Sequence, residues 1–306
     1  MSFSDDVRHE LVALAPRKEC DRLAELSALF HAGGSLHFRG RGEVSLHLDL
    51  GSSAVARRAF RLLRSFRVRS EIRTYRRRAF ERSTRYQLHV AGTAHALQLL
   101  HEAGVVTANL APAGRPPKRV VGRSCCRAAY LRGALLAAGT VSAPPSPHLE
   151  IRSAGRSGAE FVAGVAAAEG IELRIAERPR HVVAYAKAID AIADMLAAAG
   201  ASDAALALEE RAVVGSTRSR ANRLANADHA NLVRAGRAAH VQLEGVRRLA
   251  QQHRLDQLSP PLREIAELRL RHPSLSLREL ALKCRPPTTK ASAHRRMTKV
   301  LKLAER

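Results

Sequence analysis

Tryptophan is absent from the 306 residues, and other aromatic side chains are scarce, with 7 Phe and 4 Tyr. Modules that read RNA or single strands stack bases on such rings, so this scarcity argues against them. The four cysteines, Cys20, Cys125, Cys126 and Cys284, form no C-x-x-C pair. That spacing predicts a reduced, cytosolic protein with no structural metal and no cofactor. No apolar run is long enough to span a bilayer, and the opening MSFSDDVRHEL is polar and acidic, unlike a signal sequence. A membrane role is therefore not expected. The last deficit is in acids: 28 Asp and Glu face 51 Lys and Arg, a formal charge of +23. An imbalance of that size points to a polyanionic partner.

The positive charge is concentrated in two places. From Ala212 onward 20 Lys and Arg stand against 7 Asp and Glu, and Arg57–Arg85 holds 12 Arg against Glu71 and Glu81. Two basic zones predict two places of contact with a polyanion.

The chain also repeats itself. Ala24–Leu36, AELSALFHAGGSL, aligns at constant offset with Ala129–Val141, so that Leu26 falls on Leu131, Gly34 on Gly139 and Ser35 on Thr140. Each copy continues with a strand, a helix, two strands and a helix, which marks a duplicated unit. Ala24, Ala28 and Ala32 in one copy, and Ala129, Gly133 and Ala137 in the other, share a helix face at i, i+4, i+8. Faces made of such small residues predict two helices packed backbone to backbone, although an alanine-rich chain produces the spacing by chance as well.

In chain order, Ser4 is expected to cap a first helix ending near Leu14, and Glu19–Ala32 is the first repeat helix, ended by Gly33-Gly34. Val44–Leu50 alternates as a strand, Ser53–Phe66 is a helix, and Arg69–Arg77 and Arg85–Val90 form a hairpin. The hairpin's apolar side would be Ile72, Tyr86, Leu88 and Val90. Its open side would be Arg69, Arg73, Arg77, Arg85, Gln87 and His89, a DNA-facing clamp or, more plainly, arginines that discourage edge pairing. After helix Ala94–Glu102 and a Pro/Gly linker, the second copy runs helix Ala129–Ala138, strand His148–Ile151, helix Gly158–Glu169, strands Ile171–Ala176 and His181–Ala186, and helix Ala188–Ala199. Its open strand face, Glu150, Arg152, Glu172 and Arg174, is less basic. The expected division is 1–212 (repeats 17–108 and 123–212, linker 109–122) and a helical domain 213–306.

In that second domain Arg218–Asn231 is rich in Arg and Asn; Asn222, Asn226 and Asn231 would touch phosphates or tie helices together. A long helix follows to about Gln252, then Pro261–Arg271. Ser276-Leu-Arg-Glu279 reads as a capping box opening Leu277–Cys284. Thr289 can cap a last helix, Lys290–Ala304. Ala293, Met297, Val300, Leu301 and Ala304 form one arc of that helix; Ser292, Arg295, Arg296, Lys299 and Lys302 form the other. A short helix, a tight turn and a helix with a basic outer face is a helix-turn-helix arrangement, placed at 276–304. The major groove admits one helix; Arg binds guanine in bidentate fashion, and Lys and Ser hold phosphates. Lys290, Ser292, Arg295, Arg296, Lys299 and Lys302 are the expected contact set. A basic helix face is also what an ordinary solvated helix presents.

The paired stretches Leu26–Gly34 and Leu131–Gly139 resemble the LAGLIDADG motif of homing endonucleases. In that family the penultimate motif residue is an acid that binds a divalent metal; here the positions are Gly33 and Ala138, and the motif's other acidic position is His31 and Leu136. Without those carboxylates the hard-oxygen site for Mg²⁺ is missing, so no catalytic residue is expected. Such a body followed by a helix-turn-helix resembles the WhiA family of bacterial transcription regulators, through MSFSDDVRHEL, CDRLAELSALFHAGGSLHF, RAAYLRGALLAAGTVS, RSRANRLANADHAN and LSPPLREIAELRLRHPSLSLRELA. The last 45 or so residues are similar to the promoter-reading part of sigma factors (region 4).

The resemblance implies an α+β fold: a duplicated LAGLIDADG-like domain followed by an all-α helix-turn-helix domain. It implies a non-enzymatic, sequence-specific binder of double-stranded DNA at the nucleoid, controlling sporulation septation, cell division and chromosome segregation. RNA polymerase holoenzyme and a WhiB-type iron–sulfur regulator are the implied protein partners. The competing expectations are a metal-dependent DNA endonuclease and an adaptor between RNA polymerase and another regulator.

Overall fold

The structure is a computed structural model describing residues 2–38, 43–76 and 84–305. It divides into two compact units, Met1–Ser216 and Thr217–Arg306.

The first unit is built twice on one plan. Helix α1 (Phe3–Ala13) leads to α2 (Glu19–Gly33), β1 (Gly34–Phe38), β2 (Val44–Leu50), α3 (Ser53–Ser65), β3 (Glu71–Arg76), β4 (Thr84–Ala91) and α4 (Ala94–Glu102). The second copy is α5 (Ser124–Ala138), β5 (Gly139–Ser142), β6 (His148–Ser153), α6 (Arg156–Ala167), β7 (Arg174–Arg178), β8 (His181–Ala186) and α7 (Ile189–Ala199). Each copy folds into a four-stranded antiparallel sheet, ordered β1-β2-β4-β3 and β5-β6-β8-β7. The alternation in VSLHLDL sends Leu46, Leu48 and Leu50 to the core beside Leu88 and Val90. Each buried leucine contributes about 2 kcal/mol of transfer free energy.

The seam between the copies is α2 against α5. Ala24, Ala28 and Ala129 are fully covered there. A Cβ added to Gly133 would fall 2.5 Å from the Glu25 carbonyl oxygen and 2.9 Å from the Ala28 methyl, so the backbones touch and only glycine fits. Both helices then run into a strand without a loop. The chain turns back so tightly that a Cβ at Gly34 or Gly139 would sit 2.4 or 2.5 Å from the carbonyl of Phe30 or Leu135.

Glu25 is completely buried in this seam. Arg58 of α3 grips it in bidentate fashion, at 2.7 and 3.0 Å, and Arg132 of α5 donates to it at 3.0 Å. Arg132 also donates to the Ala199 carbonyl at 3.1 Å. One carboxylate thus joins both copies.

Several local expectations need correction. Strands β1 and β5 were not foreseen; GSLHF and GTVS are too short to register as alternation. Ser2, not Ser4, caps α1, in a capping box with Asp5. Strand β3 begins at Glu71, leaving Arg69 in the irregular segment before it, and β7 begins at Arg174, because Ile171 and Leu173 are core residues ahead of the strand. Glu172 therefore lies outside the second sheet. Ile72 is 37 % exposed on the edge strand instead of buried. The Arg/Asn-rich stretch is the middle of one continuous helix, α8 (Ser202–Gln251), so its asparagines cap nothing. The first backbone amides of α8 are held by Glu10, whose carboxylate accepts from Asp203 and Ala204 N–H at 2.9 Å each.

In the second unit α9 (Pro260–Arg271), α10 (Leu277–Lys283) and α11 (Lys290–Ala304) enclose a separate core with the end of α8, around Val246, Leu249, Ile265, Leu280, Met297 and Val300.

Removing the buried carboxylate with Glu25→Ala leaves two buried guanidinium groups unmatched. The expected loss is about 3–5 kcal/mol, measured as a lower urea midpoint for the full chain, whereas Glu160→Ala, on an exposed pair with Arg156, should change stability by under about 0.5 kcal/mol.

Candidate nucleic-acid interface

The helix-turn-helix is set by its caps. Ser276 Oγ accepts from Glu279 N–H at 3.3 Å while the Glu279 carboxylate takes the Ser276 N–H at 2.7 Å, the capping box that starts α10. Thr289 Oγ1 accepts from Ser292 N–H at 3.2 Å and starts α11. Between them the turn is pinned twice: Thr288 N–H donates to Ala281 O at 2.9 Å and Arg285 N–H to Glu264 at 2.5 Å.

One residue that nothing in the sequence marks out fixes the connection from α9 to α10. Arg269 is 1 % exposed. Its guanidinium donates to the carbonyls of Leu275 at 2.6 Å and Pro273 at 3.3 Å, and to Gln242 Oε1 of α8 at 2.7 Å. Burial lowers its pKa from the ordinary arginine value. In sequence it looks like one more basic residue of an amphipathic helix.

Helix α11 docks through Ala293, Met297, Val300 and Ala304, all buried, with Leu301 half-buried beside them. Lys290, Arg295, Lys299 and Lys302 are exposed. Arg295, Lys299 and Lys302, at i, i+4, i+7, form one stripe. Among the described residues no carboxylate pairs with any of these four. Ser292 is half-buried and its amide is committed to the cap. Arg296 differs from the expected contact set: its side chain is 28 % exposed and turns toward α9, 3.8 Å from Glu264. A residue one position along a helix from the exposed stripe is rotated by about 100°, which brings Arg296 to the flank of the docked face.

On the first sheet, cross-strand register puts Arg73 and Arg85 on the solvent side with Gln87 and His89. Arg73 is exposed but paired with Glu71 at 2.9 Å, and Arg85 is half-buried beside Tyr75. Arg69 is exposed in the irregular segment before the strand, and Arg77 lies outside the described residues. The same side carries Asp49, which accepts from Tyr75 OH at 2.8 Å and Gln87 at 3.4 Å. It also carries a row of imidazoles across β1, β2 and β4 that the sequence does not reveal, because β1 has too few residues to show a period of its own. The ring centres of His37 and His47 are 4.1 Å apart, and those of His47 and His89 5.0 Å. This face is therefore mixed in charge, with histidines at its middle.

The two motif-end positions, Gly33 and Ala138, close α2 and α5 immediately before β1 and β5. Neither offers an oxygen ligand. A Cβ at Gly33 would press to 3.0 Å from the Asp49 carbonyl. At the other motif position His31 Nε2 lies 3.0 Å from the Gly104 carbonyl oxygen, and Leu136 is buried in the core.

Two sheets carried on paired glycine-ended helices, followed by a trihelical unit with an exposed basic helix, define a LAGLIDADG-like scaffold joined to a helix-turn-helix. Family models agree piece by piece: the WhiA N-terminal LAGLIDADG-like domain matches residues 19–106, the WhiA LAGLIDADG-like domain residues 127–218, and the WhiA C-terminal HTH domain residues 221–304. The chain belongs to the WhiA family. It is 37 % identical over 311 residues to the probable cell division protein WhiA of Symbiobacterium thermophilum, covering 100 % of this chain and 98 % of the relative. It is 36 % identical to the protein of the same name from Desulforudis audaxviator, covering 100 % and 97 %. Among solved structures, full-length WhiA from Thermotoga maritima superposes with a TM-score of 0.59 at 21 % identity, covering 100 % of this chain and 98 % of that one.

Burial first, then the neighbouring His37 and His89, lowers the pKa of His47, and burial lowers that of His31. Both rings then stay neutral in the folded chain below the ordinary value of about 6.5. The unfolded chain takes up protons first on acidification, so stability is full above about pH 6.5 and falls as pH drops from there toward the folded pKa values. Urea midpoints across this window should decline, and NMR titration should place both rings below their unfolded values. His31→Gln, which keeps a donor for Gly104, should flatten the decline.

Proposed function

We propose that this protein is a sequence-specific, double-stranded DNA-binding transcription regulator acting in cell division, and that it binds DNA without cutting it. The observation carrying the proposal is α11: one arc anchors it in the helix-turn-helix core while Lys290, Arg295, Lys299 and Lys302 on the other stand free of ion pairs among the described residues. The exposed stripe fits a major groove, with Arg295 placed for a guanine edge and the lysines for phosphates. Arg296, held toward Glu264, is a second-rank contact. On the first unit, Arg69, Arg73 and Arg85 supply weaker backbone contacts, since one is already paired and another half-covered.

The nuclease alternative is disfavoured by the chemistry of Gly33 and Ala138, which cannot hold a hard cation at the motif ends. The family resemblance supports target genes in sporulation septation and chromosome segregation, a location at the nucleoid in the cytoplasm, and RNA polymerase holoenzyme and a WhiB-type iron–sulfur regulator as protein partners. An adaptor that touches DNA only incidentally would leave the unpaired stripe of α11 without a role.

Genome-wide mapping of bound sites supplies the operator, and mobility shifts on that operator then test the roles. Arg295→Ala should cost about 1–3 kcal/mol on the operator and much less on random DNA, while Lys299→Ala should weaken both alike and reduce the salt slope by about one. Equal losses on both DNAs for Arg295→Ala would reduce it to a phosphate contact. Specific binding retained by residues 1–212 alone would invert the assignment, and Mg²⁺-dependent nicking of supercoiled plasmid would overturn it.

A further inference from the structure

The cysteines show no metal-binding spacing in sequence, yet the fold gathers three of the four. Cys20 and Asp21 lie in the first turn of α2, and Cys125 and Cys126 in the first turn of α5. One sulfur or carboxylate oxygen from each of the four lies within 4.8 Å of all the others. Among the described residues this is the group of His, Cys, Asp and Glu side chains that converges in this way.

The arrangement follows from the duplication. The offset that lays Ala24 on Ala129 also lays Cys20 on Cys125, Asp21 on Cys126, and the N-cap Lys18 on Arg123. The contacts obey the same symmetry: the Cys20 thiol donates to Asp21 Oδ1 at 3.5 Å in one copy, and the equivalent Cys125 and Cys126 sulfurs lie 4.0 Å apart in the other. Two ligands from each copy thus face each other across the seam. They sit at the opposite ends of the helices from Gly33 and Ala138, about 20 Å away at 1.5 Å per residue.

We propose that Cys20, Asp21, Cys125 and Cys126 form a tetrahedral site for a thiophilic divalent cation of the Zn²⁺ type, clamping the two repeats together. Three sulfurs and one carboxylate oxygen supply the four donors a closed tetrahedral site needs, each of a type that Zn²⁺ takes. Zn–S bonds of about 2.3 Å put tetrahedral ligands about 3.8 Å apart. The Cys125 and Cys126 sulfurs are already 4.0 Å apart, so modest side-chain rotations complete the geometry. Cys126 is buried and the other three are half-buried, which leaves an entry path. Binding displaces three thiol protons, and the site then carries two net negative charges. Two helix N-termini, neither with a side-chain cap, and the flanking Lys18 and Arg123 offset that charge.

The test is Co²⁺ titration of the reduced full chain, with Co²⁺ standing in for Zn²⁺. One Co²⁺ per chain should bind with thiolate-to-metal charge transfer and the intense visible bands of tetrahedral coordination. Zn²⁺ should bleach both, and should raise the thermal midpoint. Cys20→Ser and Cys126→Ser should each weaken binding by more than the roughly 10–100-fold typical of losing an outer-shell partner. Cys284→Ser, in the separate core of the second unit, should leave binding unchanged. If a serine variant fails to fold, the spectrum and stoichiometry of the parent chain decide by themselves. Absence of charge transfer in the folded parent overturns the proposal, as does a spectrum that survives Cys20→Ser and Cys126→Ser or is lost in Cys284→Ser.

Discussion

Contact between the backbones of α2 and α5 is the constraint from which the first unit is built. Gly133 admits the carbonyl of Glu25 and the methyl of Ala28 at distances no side chain would allow. With the helices that close, the Glu25 side chain has no route to water and is neutralised in place. Arg58 from its own copy and Arg132 from the other supply the matching charge. A buried ion pair of this kind adds little net stability over an apolar substitute, but losing one partner is costly. Its effect here is to couple register: sliding α5 along α2 would break the Arg132 contact and leave Glu25 half-matched.

That coupling changes how the excess of arginine is to be understood. Arg58 and Arg132 are inside the seam, and Arg269 is inside the second unit, where it holds a loop by its carbonyls. Arg127, Arg156 and Arg263 are in ion pairs. The formal charge therefore overstates what a polyanion meets, and the field that remains is more local. On α11 it is a stripe that no carboxylate among the described residues pairs with. On the first sheet it is a mixed surface in which Asp49 and Glu71 offset part of the arginine charge and three imidazoles fill the middle.

The two ends of the paired helices carry different chemistry. At the C-terminal ends, where homing endonucleases place acids, glycine and alanine permit an immediate turn into a strand and offer no ligands. At the N-terminal ends, soft sulfur donors and one carboxylate converge, favoured by the positive helix termini. The same pair of helices thus ends in glycine and alanine on one side and begins, on the other, with a geometry suited to holding the two halves together.

The duplication, the glycine-ended helices, the alternating strand Val44–Leu50 and the capped last helix were all legible in sequence, because each rests on local periodicity or on a cap within four residues. The same local logic separated the apolar and basic arcs of α11. Strands β1 and β5 were not legible, since four or five residues after a helix carry no period of their own and become strands only by pairing with β2 and β6. Arg296 and Arg269 could not be told from their exposed neighbours, because whether an arginine faces water depends on what packs over it. The row of histidines and the gathering of Cys20, Asp21, Cys125 and Cys126 belong to the tertiary structure alone: residues far apart in the chain meet only once the strands pair and the two helices lie side by side.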